Sequence, residues 1–296
     1  MPFLGEIAAL SAAVLWGGTT LAFESAGHRV GAFATNLWRI VFGLIFLCIA
    51  LFFTTGKVFP IHATGEQFMW LGLSGVVGLA IGDGALFACL VILGARRATL
   101  LLSLAPAIAT VLAWIFLDEH LGSMALTGIA LTLAGIYWVM SEKNVPEKVH
   151  GSLWLGIFTG IVAALGQAVG VILVKFGFRT EIDALSATIL RMAPAAAVLW
   201  LAGMVVGRGP ALFDVMRNRR VARLIVIASI SGPFLGVWLS IIAVKYTAAG
   251  IASTLLATVP IVVIPIIIIV QKTVPSLRAI LGTLVAIAGI AFIFMR

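Results

Sequence analysis

Ser141–His150, SEKNVPEKVH, is a notably polar run in a chain of 296 residues that is 62% hydrophobic and only 10% charged. A soluble chain carries roughly 25% charged residues, so this one has too little polar surface to face water all round. Outward from that run, both flanks break into apolar blocks of about 18–22 residues, the length that crosses a hydrocarbon core roughly 30 Å thick. Toward the N-terminus the predicted spans are 4–23, 33–54, 68–93, 98–117 and 124–140. Toward the C-terminus they are 152–174, 184–206, 222–243, 248–270 and 277–295, with the third span of the chain long enough for a tilted or irregular end. Backbone amides in lipid must be satisfied within their own segment, so these spans are helices. The expected fold is an all-α membrane protein of ten transmembrane helices, organised as 1–140, a connecting loop 141–151, and 152–296.

The flanks also repeat one another. A shift of 154 residues superposes Pro106 on Pro260, Gly128 on Gly282, Gly135 on Gly289, Gly78 on Gly232 and Gly82 on Gly236. Nearer the N-terminus the shift shrinks to 152, matching Arg39 with Arg191, and then to 151, matching Gly5 with Gly156. Small loop deletions produce such a drift, and the ordered matches point to a duplication. Five is odd, so two copies joined by a short loop enter the membrane in opposite senses. Two inverted five-helix repeats are a plan of secondary transporters, with the substrate site near the midplane where the repeats meet.

The net charge of +8 raises the question of a nucleic-acid partner. The basic residues, however, sit in short gaps between apolar blocks, where they act as topological anchors beside lipid headgroups. Of the Lys and Arg in gaps and tails, twelve fall on one side and five on the side that carries both termini, although five of the twelve come from Arg208–Arg223. That bias puts both termini on the non-cytoplasmic side of a plasma (inner) membrane. Glu6 and the lack of a basic residue before the first apolar run argue against a cleavable signal peptide. Cys48 and Cys89 lie inside separate spans, and the four histidines are dispersed without metal-ligand spacing, so no disulfide, metal or cofactor is expected.

Several stretches then carry a resemblance. The opening AALSAAVLWGG (8–18), the Arg39 and Arg191 pair, and GARRATLLLSLAPAIATVLAWIFLDEHL (94–121) resemble the drug/metabolite transporter superfamily, specifically its EamA-type members. VKYTAAGIASTLLATVPIVVIPIIIIVQK (244–272) looks like the same element repeated. The resemblance covers almost the whole chain, and small apolar residues make its motifs specific for family and poor for substrate. It implies gradient-driven export or exchange of amino acids, metabolites or small drugs. It also implies a central cavity lined by spans one to four and six to nine, with five and ten peripheral. The carboxylate such proteins often carry at the end of span four is Glu119 here, but its repeat mate is Thr273, which departs from the pattern.

The candidate working residues are the polar groups inside spans. Asp83 is the sharpest, because Asp at the centre of an inserting helix costs about 2.5–3.5 kcal/mol and such residues usually face a cavity. It suits proton coupling or a substrate amine; the alternative is a place at a water interface beside glycine backbone. Arg39 and Arg191 stand at equivalent depths and suit an anionic substrate group, a carboxylate partner or snorkelling to opposite leaflets. Trp16 and Gln167, 151 residues apart, offer a flat wall and a buried amide. Ser103, Ser240 and Thr254 add hydroxyls, each of which a carbonyl one turn back can satisfy. Pro106, Pro260 and Pro265 interrupt spans four and nine, with Pro106 and Pro260 as paired hinges or static bends. Lys175 and Lys245 read as interface residues, and the paired glycines as packing devices.

The function these residues favour is secondary transport of a small organic solute by alternating access, as an exporter or exchanger. One internal acid and two arginines fit a zwitterionic or mixed-charge metabolite, with protons as a candidate coupling ion and a functional monomer as the simplest assembly. The alternatives are a membrane-embedded enzyme and a non-transporting scaffold. An enzyme would need a nucleophile with its base, a metal cluster or paired carboxylates, and Asp83 is the one carboxylate read deep in a span.

Overall fold

The protein is described from a computed structural model covering residues 3–140, 149–207, 213, 215–259, 261 and 276–295. Pro260, Pro265, Thr273 and residues 141–148 of the central polar run lie outside these described residues. Every regular element within them is helical. Six helical stretches are long and apolar enough to cross a membrane: Ala32–Thr55, Gly65–Leu93, Arg97–Leu117, Leu153–Gly177, Ala184–Val205 and Arg219–Tyr246.

In the first half, α1 is Leu4–Val30 and α2 is Ala32–Thr55. The third stretch is built of α3 (Gly65–Gly75), a π-helical segment Val76–Gly82 and α4 (Asp83–Leu93). Then come α5 (Ala95–Leu102), α6 (Ala105–Leu117) and α7 (Ser123–Met140). The second half has α8 (Leu153–Gly177) and α9 (Ala184–Val205). It continues with α10 (Arg219–Ser229), a π-helical segment Ile230–Gly236 and α11 (Val237–Tyr246). The last elements are α12 (Ala249–Leu256) and α13 (Leu277–Phe294).

Local chemistry sets these boundaries. Thr64 and Gln67 form a reciprocal capping box that starts α3, and the Asp183 carboxylate accepts from Ser186 N at 2.8 Å to start α9, each satisfying amides the first turn leaves open. Gly31 and Gly94 end α1 and α4 at φ 87° and 84°, where a side chain would be strained, and their amides close on Gly27 O and Leu90 O.

The irregularity expected at the end of the third span lies instead in its middle, and the third stretch of the second half has one too. The π segments Val76–Gly82 and Ile230–Gly236 are related by the same 154-residue shift as the glycines they contain. A π turn takes up an extra residue and widens the hydrogen-bond ladder locally. Here it brings bare backbone against a neighbour: a Cβ on Gly82 would stand 3.3 Å from Gly166 Cα. The fourth span likewise divides, with a turn at Ser103–Leu104 and Pro106 in the first turn of α6. Proline there forfeits no intrahelical bond, so the break, rather than a kink around proline, redirects the chain. α12 stops at Leu256, 154 residues after the end of α5, and a turn follows.

Several contacts fix the direction of the helices. The Phe3 and Phe294 rings lie 5.3 Å apart, so both ends of the described chain meet at one end of the bundle. At the other end His150 N donates to Ile92 O at 2.8 Å, and the His150 ring is 6.2 Å from that of His28, so α8 begins beside the far ends of α1 and α4. α8 packs on α3, π segment and α4, while α1 packs on α10, π segment and α11. α7 and α13 pack antiparallel against one another. A Cβ on Gly128 would approach Gly289 O to 2.8 Å, and one on Gly135 would approach Gly282 O to 2.6 Å. Lipid offers no hydrophobic drive between helices, so such close backbone approach supplies the contact energy. Leu37 and Ile40 of α2 share a buried core with Ile189 and Met192 of α9 and Ile225 of α10, so neither half closes its core alone.

Candidate substrate cavity

Between the halves lies a cavity of about 220 Å³. Its wall takes residues from α1, α2, the Val76–Gly82 segment and α4, α5 and α6, α8, α9, the Ile230–Gly236 segment and α11, and α12 with the turn beyond it; α7 and α13 contribute none among the described residues. Most of the wall is apolar, including Trp16, Phe23, Leu79, Phe87 and Leu90. Among the described residues its charged side chains are Arg39, Asp83 and Arg191.

Asp83 opens α4 directly after the π segment and is 7% exposed. Arg39 Nη2 donates to its Oδ2 in a buried ion pair, and Gln167 Nε2 donates to its Oδ1. Arg39 Nε donates to Asn36 Oδ1 at 3.0 Å, and Asn36 Nδ2 donates to Leu79 O at 3.0 Å, a carbonyl of the π segment. The guanidinium carbon also sits 4.9 Å from the centroid of the Phe87 ring, within range of a cation–π attraction. Helices α2 and α8 thus meet on the carboxylate that α4 carries, and Asn36 ties the π segment to the same network. The water-interface alternative for Asp83 does not hold, nor does snorkelling for Arg39, which is 8% exposed.

Arg191 is treated differently. It is 5% exposed and lines the same cavity, yet its Nε has no hydrogen-bond partner among the described residues. Its Nη2 stands where a Cβ on Gly78 would come within 2.8 Å and one on Gly170 within 3.5 Å, so the guanidinium lies at the crossing of the π segment with α8. The position related to Asp83 by the 154-residue shift is Val237, which also lines the cavity. The two arginines, expected to face opposite leaflets, therefore turn into one shared space, where Arg39 is bonded to Asp83 and Arg191 feels that carboxylate only through its charge.

The remaining candidates divide. Trp16, Gln167, Ser103, Ser240 and Pro106 line the cavity, and Thr254 does not. Ser103 Oγ donates to Leu100 O at 2.6 Å, Ser240 Oγ to Val237 O at 2.7 Å and Thr254 Oγ1 to Gly250 O at 2.8 Å, so each hydroxyl is satisfied within its own helix. Pro260 lies outside the described residues. Asn36 went unread in the sequence although it is fully buried and sits one turn before Arg39; a polar pair spaced i, i+3 inside an apolar span is the signal that exposes it. Thr19, Thr20, Thr99 and Ser253 also line the cavity. Gly78, read as a packing device, additionally makes room for Arg191.

At the end that carries Phe3 and Phe294, polar cross-links join the halves. Glu119 Oε1 pairs with Lys175 Nζ at 3.1 Å, and Glu119 Oε2 accepts from Ala249 N at 2.7 Å, capping α12. Thr247 Oγ1 donates to Glu6 Oε1 at 2.8 Å. Gln67 Nε2 donates to Thr180 Oγ1 at 2.8 Å, also across the halves, whereas the bond from Lys245 Nζ to Ile182 O at 2.6 Å lies within the second half. Lys175 and Lys245, read as interface residues, thus tie one helix end to another.

The EamA-like transporter family matches this chain twice, over residues 3–141 and 154–295. No curated protein matches it. The chain is similar to a crystal structure described only as that of a protein, with a TM-score of 0.76 and 17% identity over 99% of this chain and 96% of the other. At that identity the likeness concerns the fold alone.

Proposed function

Because the chain belongs to the EamA-like transporter family, and is thereby a membrane transporter of the drug/metabolite transporter superfamily, we propose that it moves a small organic solute, an amino acid or related metabolite, by alternating access as an exporter or exchanger. The observation that carries this reading is the cavity itself, walled from both halves and holding a buried ion pair beside a second guanidinium whose Nε has no hydrogen-bond partner among the described residues. Its volume falls below the roughly 300–1,000 Å³ of drug-sized sites, which favours a small metabolite over a bulky drug.

Alternating access needs two halves that can exchange roles. Ten crossings in two inverted repeats, 1–140 and 152–296, supply them. The reading is supported by the π segments 154 residues apart, by the start of α8 at the opposite end from the start of α1, and by the crosswise glycine contacts of α7 with α13. In this scheme the ends bearing Phe3 and Phe294 face the non-cytoplasmic side of the plasma membrane, the monomer is the working unit, and the breaks at Pro106 and Pro260 are hinges. Asp83 is the coupling carboxylate: a proton taken up there releases Arg39 and loosens α2 from α4.

The test is flux of a labelled amino-acid and metabolite panel in proteoliposomes, with and without a pH gradient, for wild type and Asp83→Asn. Gradient-stimulated flux that disappears in Asp83→Asn is the expected result. Flux indifferent to both gradient and substitution would remove the proton from the scheme. No flux of any compound through folded protein would sink the transporter reading and favour a scaffold or an enzyme.

A further inference from the structure

The cavity has two cations and one anion among its described wall residues. Both oxygens of Asp83 are engaged, one by Arg39 and one by Gln167. A substrate ammonium would therefore have to share that carboxylate with two donors already in place. Arg191 remains, nineteen-twentieths buried, with an unpartnered Nε. Among the described wall residues the acid whose charge reaches it is Asp83, already bonded to Arg39 and Gln167. A buried cation without a hydrogen-bonded counter-charge of its own is costly, and a partner that brings one recovers much of that cost. In the first half Arg39 is answered by Asp83; in the second the equivalent position is Val237, whose helix packs against that of Arg191. The protein itself omits the acid that the pattern would place there.

We propose that the missing acid is supplied by the substrate: the cavity binds a small organic carboxylate, which pairs with the Arg191 guanidinium while its apolar body lies against Trp16, Phe23 and Phe87. This rests on the transporter reading and names its substrate class. The guanidinium fork matches a carboxylate in two parallel hydrogen bonds, which an ammonium or amide cannot reproduce. Gly78 and Gly170 leave bare backbone beside Nη2, so no side chain on those positions crowds the head. A zwitterion also satisfies Arg191, but its ammonium would share Asp83 with Arg39 and Gln167 and add a third positive charge to the cavity, so a plain monocarboxylate is preferred over an amino acid.

The experiment uses four probes sharing one aromatic body: phenylacetate, phenylalanine, phenethylamine and phenylacetamide. Their binding to purified full-length protein in detergent is measured by equilibrium dialysis, and their counterflow in proteoliposomes. Phenylacetate is expected to bind at least about ten-fold tighter than the amine and the amide, and Arg191→Gln to remove that preference while Arg191→Lys keeps part of it. Val237→Asp provides a second route that keeps the arginine: installing the omitted acid should weaken phenylacetate and strengthen phenethylamine. Preference for the amine by wild type, or phenylacetate binding unchanged in both Arg191→Gln and Val237→Asp, overturns the proposal. Counterflow of phenethylamine with neither phenylacetate nor phenylalanine would leave transport standing and overturn the carboxylate. Specific phenylacetate binding without any counterflow would keep the anion site and remove transport.

Discussion

Asp83 makes an ion pair with Arg39 on one oxygen and a hydrogen bond from Gln167 on the other. Asp83→Asn preserves the shape but leaves the Arg39 charge buried, and breaking a buried pair by removing one partner costs about 3–5 kcal/mol. The unfolding free energy in mixed micelles is expected to fall by that order for Asp83→Asn. The Arg39→Gln Asp83→Asn double variant should lose at least about 1 kcal/mol less than the two single losses added together. Strict additivity would mean that the pair is mere proximity. Asp83, Arg39 and Gln167 were each legible in the sequence, because polar groups in hydrocarbon need a reason. Their meeting was not, since it joins residues 44 and 84 positions apart through the phase of three helices. Nor was the contrast between the two arginines, which look alike in sequence and differ only in what stands opposite.

At the scale of elements, the crossing of α3 with α9 depends on a glycine that no repeat match singles out. A Cβ on Gly75 would overlap the carbonyl of Arg191, whereas one on Gly18 in α1 would meet nothing within 4 Å. Gly75→Ala must therefore push α9 away and carry Arg191 with it. Its yield of folded protein and its melting temperature in detergent are expected to drop sharply. Gly18→Ala should be neutral or stabilising by up to about 1 kcal/mol, the helix-propensity gain alone. Equal melting temperatures for the two variants would show that the crossing relaxes freely. Hydropathy located most helix boundaries within a few residues, because the membrane sets their length. The π segments escaped it, since a π turn changes the register of the ladder without changing the apolar character of its residues, and the glycines inside it served equally well as packing positions.

At the scale of the whole molecule, the cross-links around Glu119 tie the two halves together at one end of the bundle. Glu119→Ala removes both the Lys175 pair and the Ala249 cap, and a loss of about 1 kcal/mol shifts a two-state balance about five-fold. A cysteine placed at Val244, on the cavity wall, in a Cys48→Ala Cys89→Ala background should then react about five-fold faster with an impermeant maleimide added from that side. An unchanged rate would mean that these contacts do not govern access. The paired glycines of the sequence fall within the two family matches, 3–141 and 154–295; the cross-links around Glu119 were not legible, because their donors and acceptors are not repeated between halves. Those paired glycines also bear on how the chain is made. The main partner of α7 is α13, and the ribosome must add everything between Met140 and Leu277 before that partner exists. At roughly 5–20 residues per second, the notched face of α7 waits on the order of ten seconds against lipid. A nascent chain released in that interval carries the glycine-notched face of α7 without the helix it is shaped to meet.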